Sequence, residues 1–390
     1  MNPTEAAIEL NVSRTFGGDA SSPHPNPPPQ GGREAEKAAP SGPLPPCGGG
    51  LGWGEVTGHR EPPAHPISPP RWACPSCRAA LHEGRCGGCG RDFPSIEGLP
   101  DLRLTSDRFL DLANERAKAA RLARLAPGLD LKGLAEAYYA MTPDVDPRRR
   151  RFYLDHILGA IARGEVLAAL LPRKGKTLEV GCGTGGLLAA ATARGLDIEG
   201  TDIALRWLVV ARRRLDDLGR SCRLVAASAD RLPYPDASFD ALVADSVLEH
   251  TDDPGAAVAE WARVLKPGGT LLTWSPNRFT LAVDPHVRLW GLGYLPRHWM
   301  PAYVRWRRGG AWPPRCLSAG EARRMARSAR FEDIQVEPPA IPDSWAEGRS
   351  KWERALIRGY SLARRVGPSR SVLRGFGPLW QLRATRGGAA

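Results

Sequence analysis

The sequence contains no apolar run approaching the roughly 18 residues that a membrane span requires. It also lacks the opening of a secretory leader, since residues 1–10 carry two acids and no basic residue. Both absences point to a cytoplasmic protein. Cysteines spaced as a disulfide framework are missing too. Cys47, Cys182, Cys222 and Cys316 are scattered, while Cys74, Cys77, Cys86 and Cys89 stand close together, a division that suits a metal site in a reducing compartment. The first 280 residues have no net charge, with 34 basic and 34 acidic side chains. The formal charge of +12 therefore belongs to residues 281–390, which hold 20 Lys and Arg against 8 Asp and Glu. An anionic partner, RNA or a membrane surface, is to be sought there.

A chain of 390 residues exceeds one average domain, so a main domain with attachments is expected. Residues 1–70 show almost no aliphatic periodicity, and Pro and Gly dominate from residue 17 onward. Such a segment buries too little surface to offset its ordering entropy and is expected to be disordered. Its block P-N-P-P-P-Q-G-G (25–32) is echoed by P-L-P-P-C-G-G-G (43–50), and the pair resembles a translated palindromic intergenic repeat. The alternative, a Pro-rich ligand for a partner groove, lacks a basic residue beside a clean P-x-x-P.

Residues 71–104 read as a zinc ribbon. Cys74, Cys77, Cys86 and Cys89 form C-x2-C-x8-C-x2-C. Each pair offers two thiolates from one tight turn, and two facing turns complete a tetrahedron. Gly84, Gly87, Gly88 and Gly90 allow those turns. With Phe93-Pro94, Gly98-Leu99-Pro100 and Asp101-Leu102, the segment resembles the Trm112-like ribbon family. That resemblance implies a module that stabilises or activates a methyltransferase. Four thiolates leave no open position, so the zinc should be structural.

Residues 105–172 read as helical, a lead-in or cap to the domain beyond them. Phe109, Leu110, Leu112, Ala113 and Ala117 begin a helical pattern that Leu131, Leu134, Tyr138 and Tyr139 continue. Phe152, Leu154, Ile157, Leu158 and Ile161 then share one apolar face. Tyr138 or Tyr153 is placed to cap a pocket. Arg148 to Arg151 is read as a solvated helix start or a source of ion pairs.

Residues 173–390 begin with the stretch that organises the chain, L-E-V-G-C-G-T-G-G at 178–186. A strand, a glycine turn and a helix let backbone N–H groups cradle a ligand. Gly181, Gly183 and Gly186 satisfy G-x-G-x-x-G, which alone also fits a dinucleotide. Two acids refine it. Glu179 precedes the first glycine by two residues, and Asp202 ends the next apolar run, where a carboxylate meets ribose hydroxyls. E-x-G-x-G-x-G followed by such an acid resembles motif I of the class I S-adenosylmethionine-dependent methyltransferases. Further strands are expected at 177–180, 197–201, 222–225, 238–243, 270–274, 331–336 and 379–385, the last as an antiparallel edge. Pro267 and Gly268 should stop the helix that Pro254 starts. The alternation predicts an α/β, doubly wound, Rossmann-like and mostly parallel seven-stranded sheet with its ligand at the carboxyl ends of the strands.

The motifs from Glu179 to Gly269 resemble, as a set, the methyltransferase type 11 family: E-V-G-C-G-T-G, the acid Asp202, A-D-R-L-P-Y-P-D-A-S-F-D, L-E-H-x-x-D-P and R-V-L-K-P-G-G. The resemblance implies S-adenosyl-L-methionine as cofactor. Glu179, Gly181, Gly183 and Gly185 would hold its methionine part, Asp202 its ribose and Asp230 its adenine. Ile203, Ala229 and Asp245 complete the implied cofactor set. His250 is the candidate general base, because a hydroxyl or protonated amine acceptor has a proton to lose. His286 is the second candidate, and Cys182 is read as packing. An insertion at about 277–317 would shape the acceptor side. There Trp290, Trp299, Trp306 and Trp312 interleave with Arg297, Arg305, Arg307 and Arg308. They fit a packed cap with tryptophan as pocket wall, an interfacial surface or an RNA-stacking surface, the cap being preferred. Ser318 should cap a helix at 318–330, and residues 345–366 should form a basic amphipathic helix pair. The acceptor implied is a small molecule or lipid-like metabolite. The alternatives are an RNA base and a non-enzymatic cofactor-binding scaffold that recruits a partner through the ribbon.

Overall fold

The computed structural model describes residues 72–388 apart from 108–109, 143–144, 146, 285, 310–314 and 342–349. The segment 1–70, Phe109, Trp312 and Trp345 lie outside the described residues.

Two short hairpins open the described chain, β1 (Leu81–His82) with β2 (Arg85–Cys86) and β3 (Ser95–Ile96) with β4 (Leu99–Pro100). Four helices come next: α1 (Leu112–Leu125), α2 (Leu131–Ala140), α3 (Pro147–Leu158) and α4 (Ala160–Ala168). Asp111 and Asp130 cap the first two by accepting the Asn114 and Gly133 N–H groups. The apolar stripe expected to run from Phe152 to Ile161 is broken at Gly159 into two helices, and Leu158 is left exposed. Gly159 has φ −79° and ψ 5°, outside the helical range, so the two helices cannot merge. Tyr138 is a core residue and not a pocket cap: it is fully buried, with its ring 4.4 Å from that of Trp207.

The main sheet has seven strands: β5 (Lys176–Val180), β6 (Asp197–Asp202), β7 (Leu224–Ala226), β8 (Phe239–Asp245), β9 (Leu265–Pro276), β10 (Phe331–Glu337) and β11 (Leu379–Arg386). Their order is β10-β11-β9-β8-β5-β6-β7. All neighbours are parallel except β11, which runs antiparallel to both β9 and β10. This is the doubly wound, mostly parallel architecture expected. The remaining helices are α5 (Gly186–Ala193), α6 (Leu205–Asp217), α7 (Pro254–Val264), α8 (Met300–Arg308), α9 (Ala319–Ser328), α10 (Lys351–Ala363) and α11 (Gly367–Phe376). Alternating strand residues feed two cores. Val243 and Leu272 pack with α1–α6, while Leu178, Val180, Leu242 and Ala244 pack with α7 and α9.

Three local expectations need correction. The antiparallel strand β11 is not the edge: β10 is, and β11 fills the space between β9 and β10. Lys266 to Gly269 do not precede the strand but bulge within it. Phe239 pairs with Leu265 and Ala241 already with Thr270, so four residues loop out opposite Asp240. Lys266 Nζ then reaches both Asp240 oxygens at 2.9 Å. The basic helix pair lies at 351–363 and 367–376, because Gly367-Pro368 opens a second helix beyond Val366. Ser318 caps α9 as expected and forms a reciprocal capping box with Glu321.

The cysteine segment packs on the α7 side of the sheet. Arg78 donates to both Glu260 oxygens on α7 at 2.7 and 2.8 Å, and Ala73 N–H donates to Pro233 O at 3.0 Å. Trp72 lies against Tyr234 with centroids 5.3 Å apart. Beyond β4, Asp101 makes a parallel bridge to Ala226 at the free edge of β7.

Candidate active site

The parallel strands β5, β6, β7 and β8 end together, and the residues just beyond them share that end of the sheet. Gly181, Gly183 and Gly185 come after β5, all in the left-handed region with φ of 74°, 50° and 75°. A Cβ on Gly181 would stand 2.4 Å from Val247 Cγ2, whereas one on Gly183 would meet nothing within 4 Å. Gly186 serves packing. Its Cβ would strike Ala160 O, and one on Gly164 would strike Gly186 O, each at 2.5 Å. α4 and α5 therefore cross in backbone contact. Cys182 is buried, and burial pushes its thiol well up, which suits packing and not nucleophilic chemistry.

Asp202 closes β6 and is tied to the glycine turn. Its oxygens accept Gly183 N–H at 2.8 Å and Ala204 N–H at 2.7 Å. Ile203 O accepts Arg103 Nη1 at 2.8 Å. After β7, Ala227 N–H donates to Asp202 O at 3.0 Å, and Ala229 O accepts Trp261 Nε1 at 3.1 Å, which fixes the turn that carries Asp230. Asp245 ends β8.

Glu179, which is buried, and Asp202 and Asp245, which are half-buried, form an acidic group at this end of the sheet. Burial raises all three carboxyls, and Asp245 and Asp202 raise Glu179 further. Glu179 Oε2 has no hydrogen-bond partner among the described residues. Arg163 on α4 acts in the opposite sense, drawing Asp245 down while its own pKa is lowered by burial. Arg163 Nη2 donates to His156 O at 2.7 Å. Neither Arg163 nor Arg214 stood out in the sequence. Arg214, on α6, is almost fully buried and donates to Thr184 O at 2.7 Å and Ile157 O at 2.6 Å, clamping the glycine turn to α3. Arg163 offered one signal, a lone cation in an apolar helical stretch, whereas Arg214 is one of three consecutive arginines and offered none.

Past β8, Ser246 takes a left-handed φ of 57° and sends the chain into a 3-10 turn at Leu248–His250. The His250 and His286 rings meet edge to face, with centroids 5.1 Å apart. Glu249 is fully buried and accepts Ser275 Oγ at 2.9 Å, and burial raises its carboxyl to about 7 although His286 draws it down. Burial would raise Asp284 as well, but His286 and the N–H groups of Val287 and His286 hold it below the ordinary carboxylate value. His286 Nδ1 lies 3.7 Å from Asp284 Oδ1. Arg315 N–H donates to Glu249 O at 3.0 Å, so the chain on both sides of the 277–317 insertion reaches this turn. The insertion has its own small core of Val287, Leu289, Leu292, Met300 and Val304. Trp290, Trp299 and Trp306 are not pocket walls: each is at least 60% exposed, because that core is filled by aliphatic side chains.

The four ribbon cysteines converge, with all Sγ atoms within 4.8 Å of one another. Cys77–Cys86 and Cys74–Cys89 are separated by 3.3 and 3.8 Å, and all four are free thiols. Zinc–sulfur bonds of about 2.3 Å give tetrahedral edges of about 3.8 Å, so the set fits a zinc ion. Cys89 N–H and Gly88 N–H point at Cys86 Sγ at 3.4 Å each, and the Cys89 N–H leads in bringing its thiol down to about 6.

Residues 178–273 match the methyltransferase domain family. Ubiquinone biosynthesis O-methyltransferase of Paracidovorax citrulli is 39% identical over 176 residues, 43% of this chain and 68% of the relative. The chain belongs to the methyltransferase domain family. The enzyme of the same name from Idiomarina loihiensis is 36% identical over 166 residues. This methyltransferase-family chain spans 63% of that relative and 45% of the one from Thiobacillus denitrificans, less than two thirds of either. Among solved structures it is similar to phosphoethanolamine N-methyltransferase 2 of Haemonchus contortus with S-adenosyl-L-methionine. That match has 18% identity and a TM-score of 0.40 over 60% of this chain and 56% of that one. A chain from a Haloferax volcanii complex between the Trm112 methyltransferase activator and a methyltransferase matches with 19% identity and a TM-score of 0.40, over 60% of this chain and 92% of that one. Among the described residues no helix is long and apolar enough to cross a membrane.

Proposed function

We propose that this chain transfers a methyl group from S-adenosylmethionine to a small or lipid-like acceptor in the cytoplasm. The observation that carries the reading is the acidic group of buried Glu179 and half-buried Asp202 and Asp245 around the glycine turn, whose Gly183 N–H donates to Asp202, with Arg163 as its opposing cation. Such a group calls for a cationic, hydroxyl-bearing ligand. S-Adenosylmethionine, when bound, supplies a methyl group on an already activated sulfonium. Glu179 and Asp245 suit its positive end, and Arg163 its carboxylate. Gly181, Gly183 and Gly185 let the backbone come close. Asp202 and Ile203 suit the ribose edge, and Ala229 and Asp230 the adenine edge. The remaining task is to align the acceptor in line and exclude water.

Relatives whose names specify O-methyl transfer favour a hydroxyl acceptor, which must lose a proton. His250, edge-on to His286, is the base in this reading, and Asp284 orients His286. The ribbon cysteines hold structural zinc. An RNA acceptor is the second reading, supported by the basic residues 281–390.

Calorimetric titration of S-adenosylmethionine, with NADH as control, tests the core of the proposal. Binding of the sulfonium alone is expected, and Asp202→Ala should weaken it at least tenfold. Unchanged affinity in that variant would place the cofactor elsewhere. Affinity should also fall as pH is lowered through the raised carboxyl pKa values, because a protonated acid no longer pairs with a cation. His250→Ala should abolish turnover while leaving cofactor binding intact.

A further inference from the structure

Large apolar side chains are exposed very unevenly. Among the described residues, ten of the fourteen lie between Leu281 and Phe376, the same part of the chain that carries the whole excess positive charge. Three of them are tied together by hydrogen bonds. Trp290 Nε1 donates to Leu281 O, and Leu281 N–H donates to Phe376 O, both at 3.0 Å. These side chains are 62%, 53% and 44% exposed, so they form one open apolar surface where the insertion meets the end of α11. Val372, one turn before Phe376, is exposed as well, and α11 buries none of its residues. On α8, Met300 and Val304 turn inward while Trp299, Tyr303 and Trp306 follow another side. Trp306 is 75% exposed. Arg308 on the same helix donates to Val287 O and Arg288 O, which fixes α8 against the loop carrying His286.

Exposed basic side chains stand on the same part of the chain. Arg305 and Arg307 on α8, Arg358 on α10 and Arg365 just beyond it are exposed. The nearby acid Glu337 is already matched by Arg370 and Arg374 at 2.7 and 2.8 Å. Nucleic acid rewards aromatic rings and cations but has no use for exposed Leu281, Leu362 or Val372, which offer neither a π-face nor a donor. A bilayer interface rewards all three kinds: aliphatic groups below the headgroups, indoles at headgroup depth, and arginines against anionic lipid.

We propose that this face docks the protein on an anionic lipid bilayer surface. The inference goes beyond methyl transfer and does not depend on it. It is tested by co-sedimenting the full chain with phosphatidylcholine vesicles, with or without phosphatidylglycerol at about one lipid in three. Sedimentation with the anionic vesicles and a blue shift of indole emission are expected. Trp299→Ala with Trp306→Ala should weaken binding roughly tenfold. Arg305→Gln with Arg307→Gln should weaken it several-fold, and only on anionic vesicles. Each variant should retain the cofactor affinity of the parent chain, which separates loss of the surface from loss of the fold. Protein remaining in the supernatant overturns the proposal. So does retention of bulk transfer RNA with indole emission unmoved by vesicles, which would identify the partner as nucleic acid.

Discussion

At Gly181 an added methyl group would meet Val247, while at Gly183, two residues on, it would meet empty space. Both sit at positive φ, so alanine at either costs about 1 kcal/mol or more in backbone strain. Gly181→Ala should therefore lower the melting temperature clearly more than Gly183→Ala. Gly183→Ala should chiefly reduce cofactor affinity, read by calorimetry. Glu249 yields a second expectation. Its folded-state carboxyl is raised to about 7 from an ordinary 4.5, so the native state holds the proton more tightly than the unfolded chain. The acid costs nothing below pH 4.5. Its penalty grows between those values and is full above pH 7, about 3 kcal/mol at most. Glu249→Gln should stabilise the fold above pH 7 and leave it unchanged near pH 4, as measured by denaturant titration at both. Destabilisation at high pH would show an ionised, paired Glu249. The glycines, Glu179 and Asp202 were legible in the sequence because a turn and the acid beside it are local. Arg163 and Arg214 were not, since their significance arises where α4 crosses α5 and where α6 reaches the glycine turn.

Elements show the same division. The strands flanking the glycine turn, the Ser318 cap and the paired cysteines were readable from nearest-neighbour chemistry. The bulge at 266–269 was not, because Pro267 and Gly268 signal a break without saying whether pairing resumes on the same strand. The exposed tryptophans were misjudged for a related reason: aromatic content does not state which side of a small core it occupies. The ribbon makes a prediction at this scale. Arg78 is bound to Glu260 and Trp72 to Tyr234, and the bridge at Asp101 extends the sheet. Stripping metal with a chelator, or Cys86→Ser, should therefore lower the main thermal transition and not merely melt a detached module. Calorimetry alongside metal analysis should show one zinc per chain lost and one shifted transition. Two independent transitions would mean that the ribbon and sheet are uncoupled.

Among the described residues the main sheet lies between two large cores, and each has a large, fully buried anchor, Tyr138 on one side and Trp261 on the other. Trp261→Ala should cost about 3–5 kcal/mol, and its indole N–H also holds the Ala229 carbonyl. Its effect should reach cofactor affinity as well as stability, measured by denaturant titration and calorimetry together. The placement of β11 has a different kind of consequence, one of timing. A strand that reaches the chain last, at 379–386, lies inside the sheet between β9 and β10. Until it arrives, β9 presents an unpaired side, and β10 has nothing to join. On the ribosome the five strands from β9 to β7 can assemble early, but the sheet stays open until residue 386 has emerged. During that interval its unpaired margin is a ready template for the same strand of a neighbouring nascent chain. Chains halted at residue 378 should therefore be recovered as aggregates, whereas those released after 388 should be monodisperse.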